Sequence, residues 1–295
     1  MRDLTATNIT ETVLETFASC KDARYKQIIS TVVRHLHDCV RELKLTPEEW
    51  LAAIRFLTDV GQTCTPQRQE FILLSDTLGV SALVNILNNQ NTDSTTSSLL
   101  GPFFRENAPE LKTGDSIAPH DKGEAIVMTG RVCEKAGKPI ANALIDVWQT
   151  GSNGLYDIQG PKPDQMDLRA RFRTDKEGRY SFRTVLPIGY GIPMDGPVGG
   201  MLTAGGRHGE RPAHIHFLLS APGYKELATA LYIAGDPNIN SDAVFGVSGA
   251  LVVAPQPASN ESHGLRRIVF DFVMAGGARD GSSRVGSDPA ALVAH

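Results

Sequence analysis

The chain has 295 residues, of which 41% are hydrophobic and 21% charged, a composition typical of globular proteins rather than disordered ones. Its length predicts about two domains. The formal net charge is −4, with 29 basic and 33 acidic residues, which excludes the basic surface that nucleic-acid binding needs. No apolar stretch predicts a membrane span, and the N-terminal segment lacks the apolar run of a signal peptide. Four cysteines without a CxxC pair predict reduced thiols in a cytoplasmic protein.

Glycine and proline divide the chain into a front and a back. Only two of the 28 glycines and two of the 17 prolines lie before residue 99. Both residues punctuate turns and are unfavourable inside helices. We therefore expect a helical cap region over residues 1–98 and a turn-rich β domain over residues 99–276. Residues 277–295 are expected to form a mobile tail.

The front carries helix signals in chain order. Residues 10–42 lack glycine and proline and place apolar side chains at helical spacing. Two further helices are predicted to start at Thr46-Pro47, where Glu49 completes a capping box, and at Thr65-Pro66. A last run covers about residues 78–88, which gives four or five helices. They carry no nucleotide loop and no catalytic cluster, so their expected role is a dimer contact or a lid.

The back changes to the two-residue apolar period of strands. In the segment 143–148, for example, Ala143, Ile145 and Val147 share one face. Gly- and Pro-rich loops separate such runs, and no helix intervenes. This pattern predicts an antiparallel β-sandwich or barrel, so the fold class is mainly β with a helical N-terminal part. Rossmann, P-loop and nucleophile-elbow motifs are absent. The predicted strands cover residues 125–132, 143–148, 179–184, 213–219, 228–233, 249–253 and 267–273.

One strand carries two histidines at a spacing that suits a metal. His214 and His216 are two residues apart, so on a strand both imidazoles point to the same face. Such a pair suits zinc, copper, iron or nickel. By itself, however, this spacing is more often a polar strand face without metal. A zinc hydrolase would need a third ligand, for which the only nearby candidate is His208, in a loop.

Two tyrosines lie in glycine-rich loops of the same half. Tyr156 follows Gly151 and Gly154, and Tyr190 lies between Gly189 and Gly191. A phenol with an ordinary pKa of about 10 is normally a core or surface hydroxyl. A trivalent metal changes this, because it stabilises the deprotonated phenolate as a ligand.

These pieces in this order resemble the intradiol ring-cleaving dioxygenases, especially the catechol and hydroxyquinol 1,2-dioxygenases. The resemblance covers most of residues 1–275, and its specificity lies in the order Tyr…Tyr…Arg-x-x-His-x-His. The matching segments are LLGPFF (99–104), IDVWQTGSNGLYD (145–157), YGIPMDGPVG (190–199) and RPAHIHF (211–217).

The resemblance implies a catalytic β-sandwich, a helical dimerisation cap and one non-haem Fe(III) per subunit. The implied iron ligands are Tyr156, Tyr190, His214 and His216, and Tyr190 is the one expected to leave when a diol chelates the ion. Arg211 is implied as the catalytic arginine beside the substrate. The implied partners are a small aromatic diol or triol, O2, a second copy of the chain and a lipid at the dimer interface.

One position departs from the family pattern. The family usually has Gln or His about sixteen residues after the first ligand histidine, and here that residue is Ala230. We therefore expect no side-chain hydrogen bond from residue 230 to orient the metal ligands. A β-sandwich binding module without catalysis is the alternative of a different class that this departure keeps open.

The implied pocket resembles that of the hydroxyquinol enzymes. Asp76 is its most informative member, because a carboxylate can accept a hydrogen bond from a third ring hydroxyl and penalises a plain catechol. Equally, Ser75 or Asp76 could only cap the next helix. The expected substrate is hydroxyquinol (benzene-1,2,4-triol), with catechol or a substituted catechol as the alternative. The pocket residues are Leu73, Asp76, Leu99, Leu100, Gly101, Pro102, Phe103, Ile192, Pro193, Arg211 and Val244.

Overall fold

A computed structural model describes residues 3–65, 68–89, 93–258 and 264–277. The tail expected over residues 277–295 lies, apart from Gly277, outside the described residues. The chain divides into two units, Met1–Gln62 and Thr63–His295, so the helices that follow residue 63 belong to the second unit. The boundary drawn after residue 98 from the glycine pattern stays a prediction.

The first unit is built from three helices, α1 (Ile9–Glu15), α2 (Ala23–Leu43) and α3 (Pro47–Thr63). The predicted capping box at the start of α3 is confirmed, since Thr46 N donates to Glu49 Oε2 at 2.9 Å and Glu49 N donates to Thr46 Oγ1 at 3.3 Å. The long helix α2 has no buried residue and carries a row of exposed apolar side chains. They are Tyr25, Ile28, Val32, Leu36, Val40 and Leu43.

The second unit begins with two short helices, α4 (Glu70–Thr77) and α5 (Val80–Asn89). The helix start predicted at Thr65-Pro66 is wrong by several residues: the Thr65 hydroxyl accepts from Arg68 N at 3.0 Å in a tight turn, and α4 begins only at Glu70. Pro66 itself lies outside the described residues. Within the described ranges no single helix is long and apolar enough to cross a membrane. Only α4 and α5 taken together, with a bend of 70° between them, reach the length and apolar composition of a membrane span.

Eleven strands are seen in the described part of the second unit. Most predicted strands are confirmed, but three short ones were missed, and the run 267–273 is broken after Val269. The strand predicted over 249–253 is wrong in its first part, because Gly249–Leu251 forms a turn of 3-10 helix and only Val252–Val253 pairs as a strand. The strands are β1 (Ala125–Cys133), β2 (Leu144–Gln149), β3 (Arg169–Arg173), β4 (Arg179–Val185), β5 (Tyr190–Gly191), β6 (Glu210–Arg211), β7 (His214–Ser220), β8 (Leu227–Ile233), β9 (Val252–Val253), β10 (Arg266–Val269) and β11 (Phe272–Val273).

A helix among the strands corrects the prediction that none intervenes. It is α6 (Pro197–Ala204), between β5 and β6. Pro197 occupies its first turn, where a missing N–H costs nothing. Its two glycines hid it from a propensity argument, yet Gly199 is required by packing, because a Cβ there would lie 2.2 Å from Met194 O.

The sheets are mixed rather than antiparallel throughout. One sheet has the order β3-β2-β7-β8-β9; in the other, β1 pairs with β4 on one side and with β10 and β11 on the other. The pairs β1–β10, β1–β11 and β8–β9 are parallel. Parallel neighbours need a long crossover, which a two-residue apolar period does not reveal. A small third sheet joins β5 to β6.

Both large sheets contribute side chains to one apolar core. Ile126, Met128 and Phe182 come from the β1–β4 side, and Ile145 and Phe217 from the β2–β7 side. In the five-stranded sheet, β2, β7 and β8 are buried along most of their length. A rigid, densely packed strand is the support that a metal-binding side chain needs to hold a fixed direction.

Candidate metal and substrate site

Strand β7 presents the two predicted histidines together, as the spacing required. His214 and His216 are both almost fully buried, and their Nε2 atoms lie 3.1 Å apart. On β8, Tyr232 stands opposite His214 and Ala230 opposite His216. On β2, Trp148 stands opposite His216 and stacks on its ring at 4.9 Å between centroids.

Both imidazoles are held in the neutral form. Burial and the charge of Arg211 lower the pKa of His214 to about 3. Burial, together with His214 and Arg211, lowers the pKa of His216 well below its usual range. His214 Nδ1 lies 2.7 Å from the Pro212 carbonyl, which can only accept, so Nδ1 carries the proton. The Nε2 lone pair of His214 therefore points into the site.

Tyr156 lies beside this lone pair. Its hydroxyl is 3.4 Å from His214 Nε2, and its buried ring stacks on Phe103 at 4.3 Å. The turn that delivers it is closed by Gly151 N donating to Leu155 O. Burial, with the neighbouring Tyr190, raises the pKa of the Tyr156 phenol well above 10. Ionisation of this phenol at neutral pH therefore requires a cation.

A buried ion pair fixes the Tyr156 loop from behind, and sequence reasoning missed it. Asp157, the next residue, pairs with Arg169 on β3, with Arg169 Nε 2.6 Å from Asp157 Oδ2. Arg169 also donates to the Phe103 carbonyl at 3.1 Å. One guanidinium thus joins the segment of Tyr156 to the residue stacked on it.

Tyr190 and Arg211 are paired residues of β5 and β6. Arg211 Nη1 donates to Tyr190 Oη at 3.2 Å and lies 3.5 Å from His214 Nε2. The rings of Tyr190 and Tyr156 meet edge to face at 5.5 Å. The three segments that carry both tyrosines, the arginine and His214 therefore converge on one small volume.

Asp242 holds the arginine, and no motif in the sequence marked it. Its carboxylate accepts from Arg211 Nε at 3.0 Å and from Nη2 at 3.3 Å, a two-pronged buried pair. Burial alone would lower the pKa of Arg211, but Tyr190 and Asp242 outweigh it and hold that pKa well above its usual range. Burial likewise opposes the charge of Asp242, yet Arg211 lowers its pKa on balance. Each group thus favours the charged form of the other.

The donor set fits a metal ion. Ligand atoms about 2.1 Å from a common ion lie about 3–3.5 Å from one another. His214 Nε2 has this spacing to both the Tyr156 hydroxyl, at 3.4 Å, and His216 Nε2, at 3.1 Å. Two imidazoles and two phenols suit an oxidised first-row metal better than zinc. No cluster of three His, Cys, Asp or Glu side chains exists among the described residues, and His208 is exposed and binds Glu210 N instead. The zinc-hydrolase alternative therefore lacks its third ligand.

An apolar cluster adjoins the tyrosines and contains most of the predicted pocket. Gly101 adopts a left-handed conformation against His216, where a Cβ would lie 3.4 Å from the imidazole Cε1. Pro102 and Pro193 are exposed. The predicted residues that pack with Tyr156 and Tyr190 are Leu73, Leu99, Leu100, Phe103, Ile192 and Val244.

Asp76 lies near the end of α4, in electrostatic reach of the Arg211–Asp242 pair. Burial raises its pKa, while a hydrogen bond to the Ser81 hydroxyl and the charge of Arg211 oppose that shift. The Ser75 hydroxyl also lies 2.8 Å from the Ser81 hydroxyl, so this pair of side chains closes the α4–α5 corner. Asp76 is thus both part of that corner and a neighbour of the arginine.

Ala230 offers no polar side chain that could form a hydrogen bond with His216. His216 Nδ1 and Trp148 Nε1 are buried and have no hydrogen-bond partner among the described residues. Ala230 is fully buried opposite His216. The direction of the His216 ring is therefore set by stacking on Trp148 rather than by a side chain from β8.

Known proteins resemble this chain over nearly all its length. A family profile described as Dioxygenase matches residues 99–276, and one described as Catechol dioxygenase N terminus matches residues 22–96. Hydroxyquinol 1,2-dioxygenase of Rhizobium sp. is 48% identical over 82% of this chain and 83% of its own length. 6-Chlorohydroxyquinol 1,2-dioxygenase of Cupriavidus pinatubonensis is 42% identical over 93% and 99%.

Solved structures give the same picture. Hydroxyquinol 1,2-dioxygenase from Pseudomonas putida superposes with a TM-score of 0.86 at 44% identity, covering 92% of this chain and 99% of that one. Catechol 1,2-dioxygenase from Acinetobacter radioresistens superposes with a TM-score of 0.81 at 26% identity, covering 94% and 95%.

Proposed function

Because the chain belongs to the intradiol ring-cleaving dioxygenase family, a family of non-haem iron oxidoreductases, we propose that it cleaves hydroxyquinol with O2. The product is 3-hydroxy-cis,cis-muconate, the enol form of maleylacetate, and both oxygen atoms enter it. The observation that carries the substrate is Asp76, a carboxylate within electrostatic reach of Arg211. Relatives named for hydroxyquinol at 40–48% identity support the same choice.

The proposed cofactor is one Fe(III) ion, held by Tyr156, Tyr190, His214 and His216. When bound, this ion supplies the Lewis acidity that allows a vicinal diol to bind as its oxyanion. The neutral imidazoles offer their lone pairs without first losing a proton. Because burial raises the pKa of the Tyr156 phenol, this phenol needs the cation to ionise, which couples its charge to metal loading.

The chain's own residues supply proton handling and charge. Tyr190 Oη, one of the atoms that would hold the ion, is the group proposed to take a proton from an incoming hydroxyl. Arg211 Nη1, already 3.2 Å from that oxygen, then stabilises the negative charge of the bound substrate. Because Asp242 fixes the other side of the guanidinium, the cation is positioned before substrate arrives.

Asp76 is proposed to choose between a triol and a diol. A partly buried carboxylate that accepts a hydrogen bond from a third hydroxyl loses that bond when the hydroxyl is missing. The apolar wall of Leu73, Leu99 and Leu100 excludes water from the ring face and sharpens that difference.

Oxygen uptake with hydroxyquinol and with catechol, followed by product identification, tests this proposal. We expect faster turnover of hydroxyquinol and a ring-opened diacid as product. Faster turnover of catechol would overturn the substrate and leave the catechol alternative. Purified protein should be red-brown from tyrosinate-to-iron charge transfer; a colourless protein that stays inactive after ferric reconstitution would favour the non-catalytic binding module.

Two architectural features belong to the same proposal. We propose that the two large sheets form a β-sandwich, which their shared core supports. We also propose a homodimer through the front helices, supported by the exposed apolar row of α2. The lipid at that interface and the cytoplasmic location stay predictions from the sequence.

A further inference from the structure

A second arginine, Arg207, bridges the segment that carries Asp76 and the segment that carries Asp242. Its Nη1 donates to the Thr77 carbonyl at 2.6 Å, and its Nη2 donates to the Ala243 carbonyl at 3.0 Å. Thr77 directly follows Asp76, and Ala243 directly follows Asp242. One planar guanidinium therefore links the backbone next to Asp76, the proposed specificity residue, with the backbone next to Asp242, which holds Arg211.

Both carbonyls need this partner for structural reasons. Thr77 is the last residue of α4, and the carbonyls of a last helical turn have no partner inside the helix. A cation is favourable there because the helix dipole places partial negative charge at that end. Ala243 lies in the tight turn whose N–H groups at Val244 and Gly246 are directed to the Asp242 carboxylate. The arginine thus ties a helix end to a turn.

A phenylalanine completes the same contact. The Arg207 guanidinium lies 5.0 Å from the centre of the Phe245 ring, a cation–π distance. That ring packs on Gly79 at the α4–α5 corner, close enough that a Cβ on Gly79 would lie 3.4 Å from it. Phe245 itself has a left-handed backbone, with φ of 58°. The corner and the turn are therefore fastened by Arg207 and by Phe245.

The C-terminal end of α6 fixes the backbone position of Arg207. Gly206 adopts φ of 66°, Gly206 N donates to Thr203 O at 3.1 Å, and Arg207 N donates to Leu202 O at 2.8 Å. This double closure is the Schellman end of a helix, in which glycine takes the left-handed position. Because Leu202 is buried in the cluster that contains both tyrosines, the base of the Arg207 side chain is anchored to the site itself.

We propose that Arg207 is a positioning residue that sets the separation between Asp76 and Arg211, and thereby the preference for a third ring hydroxyl. This inference rests on the proposed function. Arg207, Asp242 and Phe245 also line a cavity of about 640 Å³ on the outer side of this contact. Loss of the arginine removes the tie between the Asp242 turn, which borders that cavity, and the end of α4.

Steady-state kinetics of the iron-loaded full chain tests the inference, with hydroxyquinol and catechol as the two substrates. Arg207→Gln should lower kcat/KM for hydroxyquinol about tenfold and kcat/KM for catechol less than about threefold. Arg207→Lys keeps the charge but lacks the planar guanidinium that binds two carbonyls at once, so kcat/KM for hydroxyquinol should also fall. Arg171→Gln is the matched control, since Arg171 is also half-buried and donates to one backbone carbonyl, Ala108 O, at 2.7 Å.

A double-mutant cycle with Asp76→Asn separates positioning from general loss of structure. In the Asp76→Asn background, Arg207→Gln should have no further effect on the hydroxyquinol-to-catechol ratio. Equal losses for both substrates, or additive effects in the cycle, would overturn the inference. A wild-type chain that prefers catechol would instead overturn the proposed function, while the cycle would still report whether Arg207 acts through Asp76.

Discussion

Tyr190 and Arg211 stand opposite each other on the short β5–β6 ribbon, and Arg211 Nη1 donates to Tyr190 Oη at 3.2 Å. Two residues of different segments are thereby locked as a cross-strand pair, one a proposed metal ligand and the other the proposed catalytic cation. Asp242 grips the far side of the same guanidinium. Any proton or charge that moves at Tyr190 is therefore met by a cation already in place.

Removing Asp242 should damage both stability and catalysis. Asp242→Asn leaves the Arg211 charge buried without its counter-ion, which typically costs about 3–5 kcal/mol of unfolding free energy. We expect kcat to fall about a hundredfold, because the guanidinium loses its fixed direction. Urea unfolding and steady-state kinetics measure the two effects. Glu110→Gln, which breaks the half-exposed pair with Arg173, is the control and should change neither.

Arg169 should govern metal affinity rather than substrate choice. Arg169→Gln removes the pair with Asp157 and the bond to the Phe103 carbonyl, so the Tyr156 loop loses its support. We expect weaker iron binding and a shifted tyrosinate absorption band, with no change in the ratio of the two substrates. Chelator competition and visible spectroscopy provide the readouts. Arg266→Gln, which breaks the surface pair with Glu124, serves as the control; unchanged iron affinity in Arg169→Gln would contradict the assignment.

Asp146 on β2 should make stability depend on pH. Burial raises the pKa of this carboxyl to about 6, while Arg171 only partly opposes the shift. A carboxyl whose pKa is raised by folding favours the folded state when protonated, and this contribution is lost as pH rises from about 4 through 6. Asp146→Asn should therefore stabilise the protein relative to wild type at pH 8. Below pH 4 the wild type and Asp146→Asn should have similar free energies of unfolding, because both side chains are then uncharged.

Denaturant unfolding of both proteins across that pH range measures the difference directly. Other titrating groups are common to both proteins and cancel in the comparison. A difference that is constant with pH would show that packing, not charge, separates the two.

Gly130 should tolerate no side chain. A Cβ on this residue would lie 1.8 Å from Phe270 O, where the chain crosses between β10 and β11 against β1. Gly130→Ala should cost about 3 kcal/mol or more, because a backbone atom must move. Gly249→Ala is the matched control, since nothing lies within 4 Å of its Cβ position and its φ is not in the left-handed region. Thermal unfolding of the two variants compares them.

Much of the site could be predicted because its signals are local. The same-face placement of His214 and His216 follows from the period of a strand, and their convergence confirms it. The capping box at Thr46 and Glu49 is equally local and is confirmed. Helix α6 and the parallel pairs were missed, because glycine masks a helix that packing stabilises and strand direction depends on a distant crossover.

The sequence by itself placed His214 and His216 on one face of a strand, by their spacing. The order of the motifs carried a family resemblance, and that resemblance implied the two tyrosines as further metal ligands and Arg211 as the catalytic arginine. Tertiary structure alone decided what holds them. Asp242 on Arg211, Arg169 on Asp157, and Arg207 between Thr77 and Ala243 join residues far apart in the chain. Such pairs leave no periodic trace, because their partners meet only after the strands and helices have packed.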